Sequence, residues 1–266
     1  MLNDAFTRSA EDRQKDELEI RIPRERVDQD GERCEVRRNG RIETIRFHDY
    51  DQIYRIPGLY EKLFCEALGC RSPAVVTDLL IERLAAHDAP PAGLRCLDVG
   101  AGNGMVGAAL RERGVSRLVG IDILKEAAEA AHRDRPGLYE HYVVGDLTDL
   151  APEDRKTIET FAPNALSLVA ALGFGDIPAA AFLGAWKLVS DDAWVAINIK
   201  DRFLESQADE SGFARLMRDL IRGGHFEVET ERRYVHRKAT SGEPLYYVAL
   251  IGRKRPAGAL PEPAAV

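Results

Sequence analysis

Apolar positions along the 266-residue chain fall into blocks that obey two different spacings. From Leu94 onward, short apolar runs alternate with segments of helical period. Leu94–Val99, Arg117–Ile121, Tyr139–Val144, Ala165–Leu172 and Trp194–Ile199 read as strands. Met105–Arg113, Leu124–Asp134, Pro152–Phe161, Pro178–Leu188 and Gly212–Arg222 read as helices between and after them. In the last of these, Phe213, Leu216, Met217, Leu220 and Ile221 form one stripe. Such alternation predicts an α/β fold, a mostly parallel sheet with helices on both faces. The end of the chain breaks the rhythm. Phe226–Arg237 and Leu245–Arg253 both read as strands, and Lys238–Pro244 is too short to hold a helix, so the two pair antiparallel.

Upstream the pattern is different. Cys34–Phe47 alternates apolar and charged positions around Asn39-Gly40, a type I′ turn pair, which predicts a hairpin. That hairpin has two candidate contacts, the main domain or a second copy of the chain in a homodimer. Leu59–Leu68 reads as a helix stopped by Gly69. A second helix starts with Ser72 as N-cap and Pro73 at the first helical position. Residues 1 to about 30 are crowded with charge and read as a solvated leader. The last eleven residues, Pro256–Val266, are rich in Pro and Ala and read as a disordered tail. The expected organisation is therefore a leader and hairpin over 1–47, a helical cap over 48–90, a main domain over 91–255 and a tail over 256–266.

Composition narrows the function. The formal charge of −7 makes the chain a poor default partner for nucleic acid. Cys34, Cys65, Cys70 and Cys96 lack CxxC spacing and read as reduced thiols of a cytoplasmic protein, with no metal site. No apolar run reaches the length of a membrane span. Nothing in the first residues resembles a secretory signal.

The candidate chemistry centres on Leu94–Gly107. An apolar run meets Asp98, then the glycine turn Gly100-Ala101-Gly102-Asn103-Gly104, then a helix. Glycines allow close backbone approach, and a helix start presents free N–H groups. Gly102–Gly107 fits GxGxxG, and Asp122 lies 20 residues after Gly102, as in a dinucleotide site. Three features favour S-adenosylmethionine instead. Asp98 precedes the first glycine by two positions, where a carboxylate would repel a pyrophosphate but accept from the ammonium of a methionine moiety. Asp146 ends the third strand, suited to an adenine amino group, while Asp122 takes ribose hydroxyls. The terminal strand hairpin stands where a dinucleotide domain would continue its parallel windings.

Leu97–Gly104, Gly120–Ile123 and Val144–Leu147, in this order and spacing, resemble the first three motifs of class I S-adenosylmethionine-dependent methyltransferases. The resemblance covers roughly Leu94 to Lys254. It implies a Rossmann-like three-layer sandwich with a seven-stranded sheet in the order 3-2-1-4-5-7-6 and strand 7 antiparallel. It implies cofactor contacts at Asp98, Gly100, Ala101, Gly102, Asp122, Ile123, Asp146, Leu147 and Ala170. The N-terminal segment is similar to the cap that small-molecule members place over the pocket.

Methyl transfer from a sulfonium is an in-line displacement with an already activated leaving group. The protein must align the nucleophile, exclude water and, for some acceptors, remove a proton. Val169–Pro178 has no Asn/Asp-Pro-Pro-aromatic sequence, the mark of enzymes that methylate base amines or a glutamine amide. With the acidic charge, this argues for a small-molecule acceptor, no nucleic acid and no membrane partner. No carboxylate stands where catechol-type enzymes hold magnesium, so no metal is expected. His48–Tyr60 holds three Tyr, a His and two Asp, either an aromatic loop packed on a helix or a lid. The pocket is expected to use Tyr50, Tyr60, Leu172, Phe174 and Lys200, with Asn198, Asp201, Arg237 and Tyr246 near it. Tyr54, Asp176, His236 and His48 are the candidate bases. A protein methyltransferase, a non-catalytic cofactor-binding partner, an aminopropyltransferase and a nicotinamide-dependent oxidoreductase are the alternatives.

Overall fold

The regular segments can be placed by asking which apolar runs pair and which faces they cover. The computed structural model describes residues 18–170, 177–201 and 212–262. Strands β4 (Arg95–Val99), β5 (Arg117–Asp122), β6 (His141–Val144), β7 (Ala165–Leu168), β8 (Trp194–Lys200), β9 (Phe226–Lys238) and β10 (Pro244–Lys254) form one sheet in the order β6-β5-β4-β7-β8-β10-β9. Counted from β4 as the first strand, this is 3-2-1-4-5-7-6, the order the family resemblance implies. Strands β4 to β8 pair in parallel, and β10 runs antiparallel to both β8 and β9. All seven residues of β8 are buried, as expected for a strand covered on both faces.

One face of the sheet packs on α5 (Pro152–Phe161), α6 (Ala179–Leu188) and α7 (Phe213–Arg222), through Ile158, Phe182, Trp186 and Met217. The other face packs on α2 (Ser72–Ala86) and α3 (Met105–Glu112), through Leu80, Leu84, Val106 and Leu110. Helix α4 (Lys125–Asp134) follows β5 and meets the cap through Ala127 and Ala130. The result is the three-layer Rossmann-like sandwich.

The N-terminal hairpin, β2 (Arg33–Arg38) and β3 (Arg41–Arg46), turns at Asn39 and Gly40, both with positive φ. A third strand, β1 (Glu19–Arg21), joins it from the segment expected to be a solvated leader. Leu18, Ile20 and Ile22 pack against the cap core, so the apolar members of a charged stretch were enough to order it. This small sheet is fastened to the β9–β10 hairpin by Glu32. Its carboxylate accepts from Arg237 Nη2 at 2.5 Å and from the Thr240 N–H at 2.6 Å, with both charged side chains nearly fully buried. Such a pair is tolerated inside because its remaining valences are also used.

Four local expectations change. His48–Tyr60 contains a short helix, α1 (Tyr50–Arg55), supported by an Asp51–Arg55 pair at 3.0 Å. Glu61–Ala67 winds as a π-helix, a rare geometry that is frequent at functional sites. Ser72 is not the N-cap of α2: that position is Arg71, and the Ser72 hydroxyl turns instead to Tyr234 and His236. In the tail, Leu260 packs against the main core, so the segment up to Glu262 has a defined course. Among the described residues no helix is long and apolar enough to cross a membrane.

Candidate functional site

The glycine turn lies between β4 and α3, and its neighbours hold it from below and from the side. Gly102 has φ of +54°, and a Cβ built on it would lie 2.3 Å from the Tyr54 hydroxyl, so only glycine fits there. Its N–H donates to Asp122 Oδ2 at 3.0 Å, and its carbonyl accepts from the Tyr142 hydroxyl at 2.7 Å. Asp122 Oδ1 accepts from the Leu124 N–H at 3.0 Å, so this carboxylate joins the turn to the start of α4 while keeping lone pairs for a ligand. Burial pushes its pKa above the ordinary carboxylate range despite these N–H donors.

Asp98 occupies a different environment. It is 1% exposed, and its oxygens accept from the Ser167 hydroxyl and from the Tyr139 hydroxyl, each at 2.7 Å. Burial raises its pKa to about 6, against the lowering effect of Ser167 and Tyr139. Gly107 lets the phenol in, since a Cβ there would lie 2.6 Å from the Tyr139 hydroxyl. Neither cavity described next is lined by Asp98.

A cavity of about 250 Å³ opens over the carboxyl ends of β4, β5, β6 and β7. This is where an open parallel sheet binds ligands. Asp122, Ile123, Asp146 and Leu147 line it together with Val169, Ala170, Ile177 and Pro178. Asp146 is held below its ordinary range by the Thr148 N–H and hydroxyl, at 2.8 and 2.7 Å. Tyr50, Tyr54 and Tyr60 form the roof as a stack, with centroid separations of 6.0 and 5.6 Å and interplanar angles of 23° and 22°. Arg55 Nη2 fixes this roof to Glu126 at 2.7 Å, and Arg133 Nη1 donates to the Tyr54 carbonyl at 3.0 Å. Burial first, and Asp122 second, hold the Tyr54 phenol well above its usual pKa.

A second, smaller cavity of about 20 Å³ lies over the glycine turn, against Gly100, Ala101, Gly102 and Asn103. It shares Tyr54, Tyr60, Gly100, Val169 and Ala170 with the first, so the two adjoin along one wall. Beside it, Glu61 Oε1 accepts from Asn103 Nδ2 and Arg135 Nη2, both at 2.8 Å, and Arg135 Nη1 donates to the Asn103 carbonyl at 2.9 Å. The other oxygen, Glu61 Oε2, is buried and has no hydrogen-bond partner among the described residues.

The remaining sequence-selected residues that the structure describes lie outside these walls. His236 is buried on β9, 2.6 Å from Ser72 Oγ, and burial, then Arg237 and Lys200, lowers its pKa to about 3. Asn198 Nδ2 donates to the Tyr234 hydroxyl and to Ser72 Oγ, and its Oδ1 accepts from the Ala170 N–H at 2.7 Å. That contact holds Ala170 at a φ of +60°, on the wall both cavities share. Lys200 is buried and donates to Gln29 Oε1. Asp201 pairs with Arg233 at 2.9 Å, whose guanidinium also stacks on the Tyr246 ring at 3.6 Å. His48 packs edge-on against Tyr50 at 5.9 Å. Arg237 serves Glu32, as described above. Leu172, Phe174 and Asp176 lie outside the described residues.

Tyr139, Tyr142, Ser167, Glu61 and Arg135 hold the site without having been singled out by sequence. Each is one polar residue among many, and only the fold brings it to the turn. The two phenols, three positions apart, offered a weak signal.

The strand order, with acidic strand ends and a glycine turn over one sheet end, is the arrangement that the resemblance to class I methyltransferases implies. Residues 96–171 match a family model described as a methyltransferase domain. No curated protein sequence matches the chain. Among solved structures, an adenosylmethionine-dependent methyltransferase from Anabaena variabilis is similar at 14% identity, covering 77% of this chain and 93% of its own, with a TM-score of 0.48. Magnesium protoporphyrin IX methyltransferase from Synechocystis, with bound adenosylmethionine, is similar at 15% identity, covering 68% and 79%, with a TM-score of 0.46. Ribosomal protein L11 methylase from Lactobacillus delbrueckii is similar at 17% identity, covering 68% and 77%, with a TM-score of 0.45. Residues 96–171 thus carry a methyltransferase domain, set in a sheet of the Rossmann-like strand order.

Proposed function

We propose that the chain methylates an O, N or C nucleophile of a small-molecule acceptor. The observation that carries this reading is the roof: Tyr50, Tyr54 and Tyr60 stack across the cavity from a cap that is docked on α4. A roofed cavity suits a small acceptor, whereas a polymer chain calls for an open groove. Bound adenosylmethionine supplies an electrophilic methyl group on a sulfonium. Asp146, Ile123 and Leu147 take its adenine, Asp122 its ribose and the glycine turn its amino-acid end. Val169, Ala170, Ile177 and Pro178 form the apolar floor for the acceptor, and Tyr50 and Tyr60 its aromatic cover. The cap excludes water and aligns the nucleophile. Tyr54 serves as wall and not as base, because its phenol is held well above its ordinary pKa. His236 is buried on β9 against Ser72, and its pKa of about 3 leaves it neutral.

The test is methyl-labelled adenosylmethionine, incubated with the protein and, separately, a metabolite extract, total RNA and total protein. Label should enter the small-molecule fraction. Label in RNA or protein alone would overturn the acceptor class. A homodimer through the N-terminal sheet accords with the exposure of Ile42 on β3. Ile42→Glu should then shift the sedimentation coefficient to that of a monomer.

A further inference from the structure

Alanine rarely takes a positive φ, because its Cβ then crowds the backbone carbonyl oxygen. Ala162 does so as the C-cap of α5, where a left-handed residue satisfies helix-end carbonyls. Ala170, with φ of +60°, has no helix end to serve. It stands two residues beyond β7, on the wall that both cavities share. Strain of this kind persists only where the surroundings enforce it.

Asn198 enforces it from behind the wall, lining neither cavity itself. Its Oδ1 accepts from the Ala170 N–H at 2.7 Å. An N–H can only donate, so the amide oxygen faces Ala170 and the amide nitrogen faces away. Nδ2 then donates to the Tyr234 hydroxyl at 2.6 Å and to Ser72 Oγ at 3.0 Å. Both amide hydrogens are used, and the side chain, at 0% exposure, has one orientation. The two hydroxyls also bond each other at 2.6 Å, which fixes them in turn. Ser72 precedes Pro73, a residue lining the smaller cavity, so the amide ties the segment after β7 to the start of α2.

The cofactor placement proposed above puts adenine and ribose in the larger cavity and the amino-acid end against the glycine turn. The sulfonium joins these two parts, so it falls beside the shared wall of Tyr54, Tyr60, Gly100, Val169 and Ala170. We propose that Asn198 is a positioning residue for methyl transfer: it holds Ala170 in the left-handed conformation and so fixes the wall where the two cavities meet. This rests on the methyl-transfer reading and adds the residue that keeps the reaction centre in register. In-line transfer depends on alignment, so a small shift of this wall costs rate more than it costs cofactor binding.

Three measurements test this. Transfer from methyl-labelled adenosylmethionine at saturating concentration, into whichever fraction accepts the label, reads the rate. Calorimetry with adenosylhomocysteine reads binding. Amide hydrogen exchange by NMR of alanine-labelled protein reads the hold on Ala170. Asn198→Ala should lower the rate by about tenfold or more, keep adenosylhomocysteine affinity within about threefold and speed exchange of the Ala170 amide. Tyr234→Phe removes a partner of the same amide but keeps the bond to Ala170, so its rate should stay within about threefold of wild type. Adding Ala170→Gly to Asn198→Ala should raise the rate again by about threefold or more, because glycine takes a positive φ unaided. Should Asn198→Ala fail to fold, Asn198→Leu, which keeps the side-chain volume, carries the same test. An unchanged rate in Asn198→Ala, an equal fall in it and in Tyr234→Phe, or no recovery with glycine would show that the amide serves stability alone, and would overturn the proposal. Absence of label transfer by the wild-type chain into any fraction would instead overturn the methyl-transfer reading beneath it.

Discussion

The Tyr139 hydroxyl donates to Asp98 Oδ2 at 2.7 Å, directly beneath the glycine turn. A phenol from the approach to β6 thus neutralises part of a buried carboxylate on β4. Tyr139→Phe removes that donor and leaves the oxygen short of a partner. The expected loss is about 1–3 kcal/mol of stability at pH 7, read from urea unfolding midpoints, and a smaller loss at pH 5. An equal loss at both pH values would show that packing, not the carboxylate, is what Tyr139 serves.

Asp98 also sets a pH dependence. Its pKa in the fold is about 6, above the ordinary 3.8. The native state therefore holds this proton more tightly than the unfolded chain does. The stabilisation is fully present below pH 3.8 and is lost as pH rises through about 6. In Asp98→Asn this slope disappears. The stability difference, wild type minus variant, should move against wild type by about 2 kcal/mol between pH 4 and 7. Parallel curves across that window would refute the shifted pKa.

Gly102→Val brings a branched side chain into a positive-φ position and against the Tyr54 hydroxyl. Adenosylhomocysteine binding should fall below detection in calorimetry while circular dichroism stays native. Wild-type affinity in this variant would remove the turn from the cofactor site.

Tyr54→Phe separates wall from base. The ring and its stacking with Tyr50 and Tyr60 remain, and only the hydroxyl is lost. Turnover on an identified acceptor should stay within about threefold, with an unchanged pH profile, because a phenol held this high delivers no base at neutral pH. A fall of a hundredfold or more would restore Tyr54 as a catalytic group.

Asn198→Ala strips partners from three groups at once: the Ala170 N–H, the Ser72 hydroxyl and the Tyr234 hydroxyl. The expected cost is about 2–4 kcal/mol in thermal or urea unfolding, since each of these groups is left short in a buried site. A cost under about 0.5 kcal/mol would mean that water replaces the amide freely.

The chain's local pattern was sufficient for its architecture. Parallel strands, their helices and the closing antiparallel hairpin follow from spacing and gap length, which are properties of neighbouring residues. The Asn39-Gly40 turn is legible for the same reason, since positive φ at both positions depends on those two residues alone. The glycine turn, with Asp122 and Asp146 at strand ends, is equally local, and the fold brings these residues to one cavity. What each polar group faces is not local. Asp98 has the motif position of a ligand acid, yet Tyr139 and Ser167, 41 and 69 residues away in sequence, claim its oxygens. Glu61 carries no mark in the sequence, and only the fold sets its Oε1 against Asn103 and Arg135. His236 looked like a base until burial beside Arg237 and Lys200 was seen to keep it neutral. Hydrogen bonds and desolvation act over a few ångströms in space, so the tertiary structure alone decides which charges are spent within the protein and which remain for a ligand.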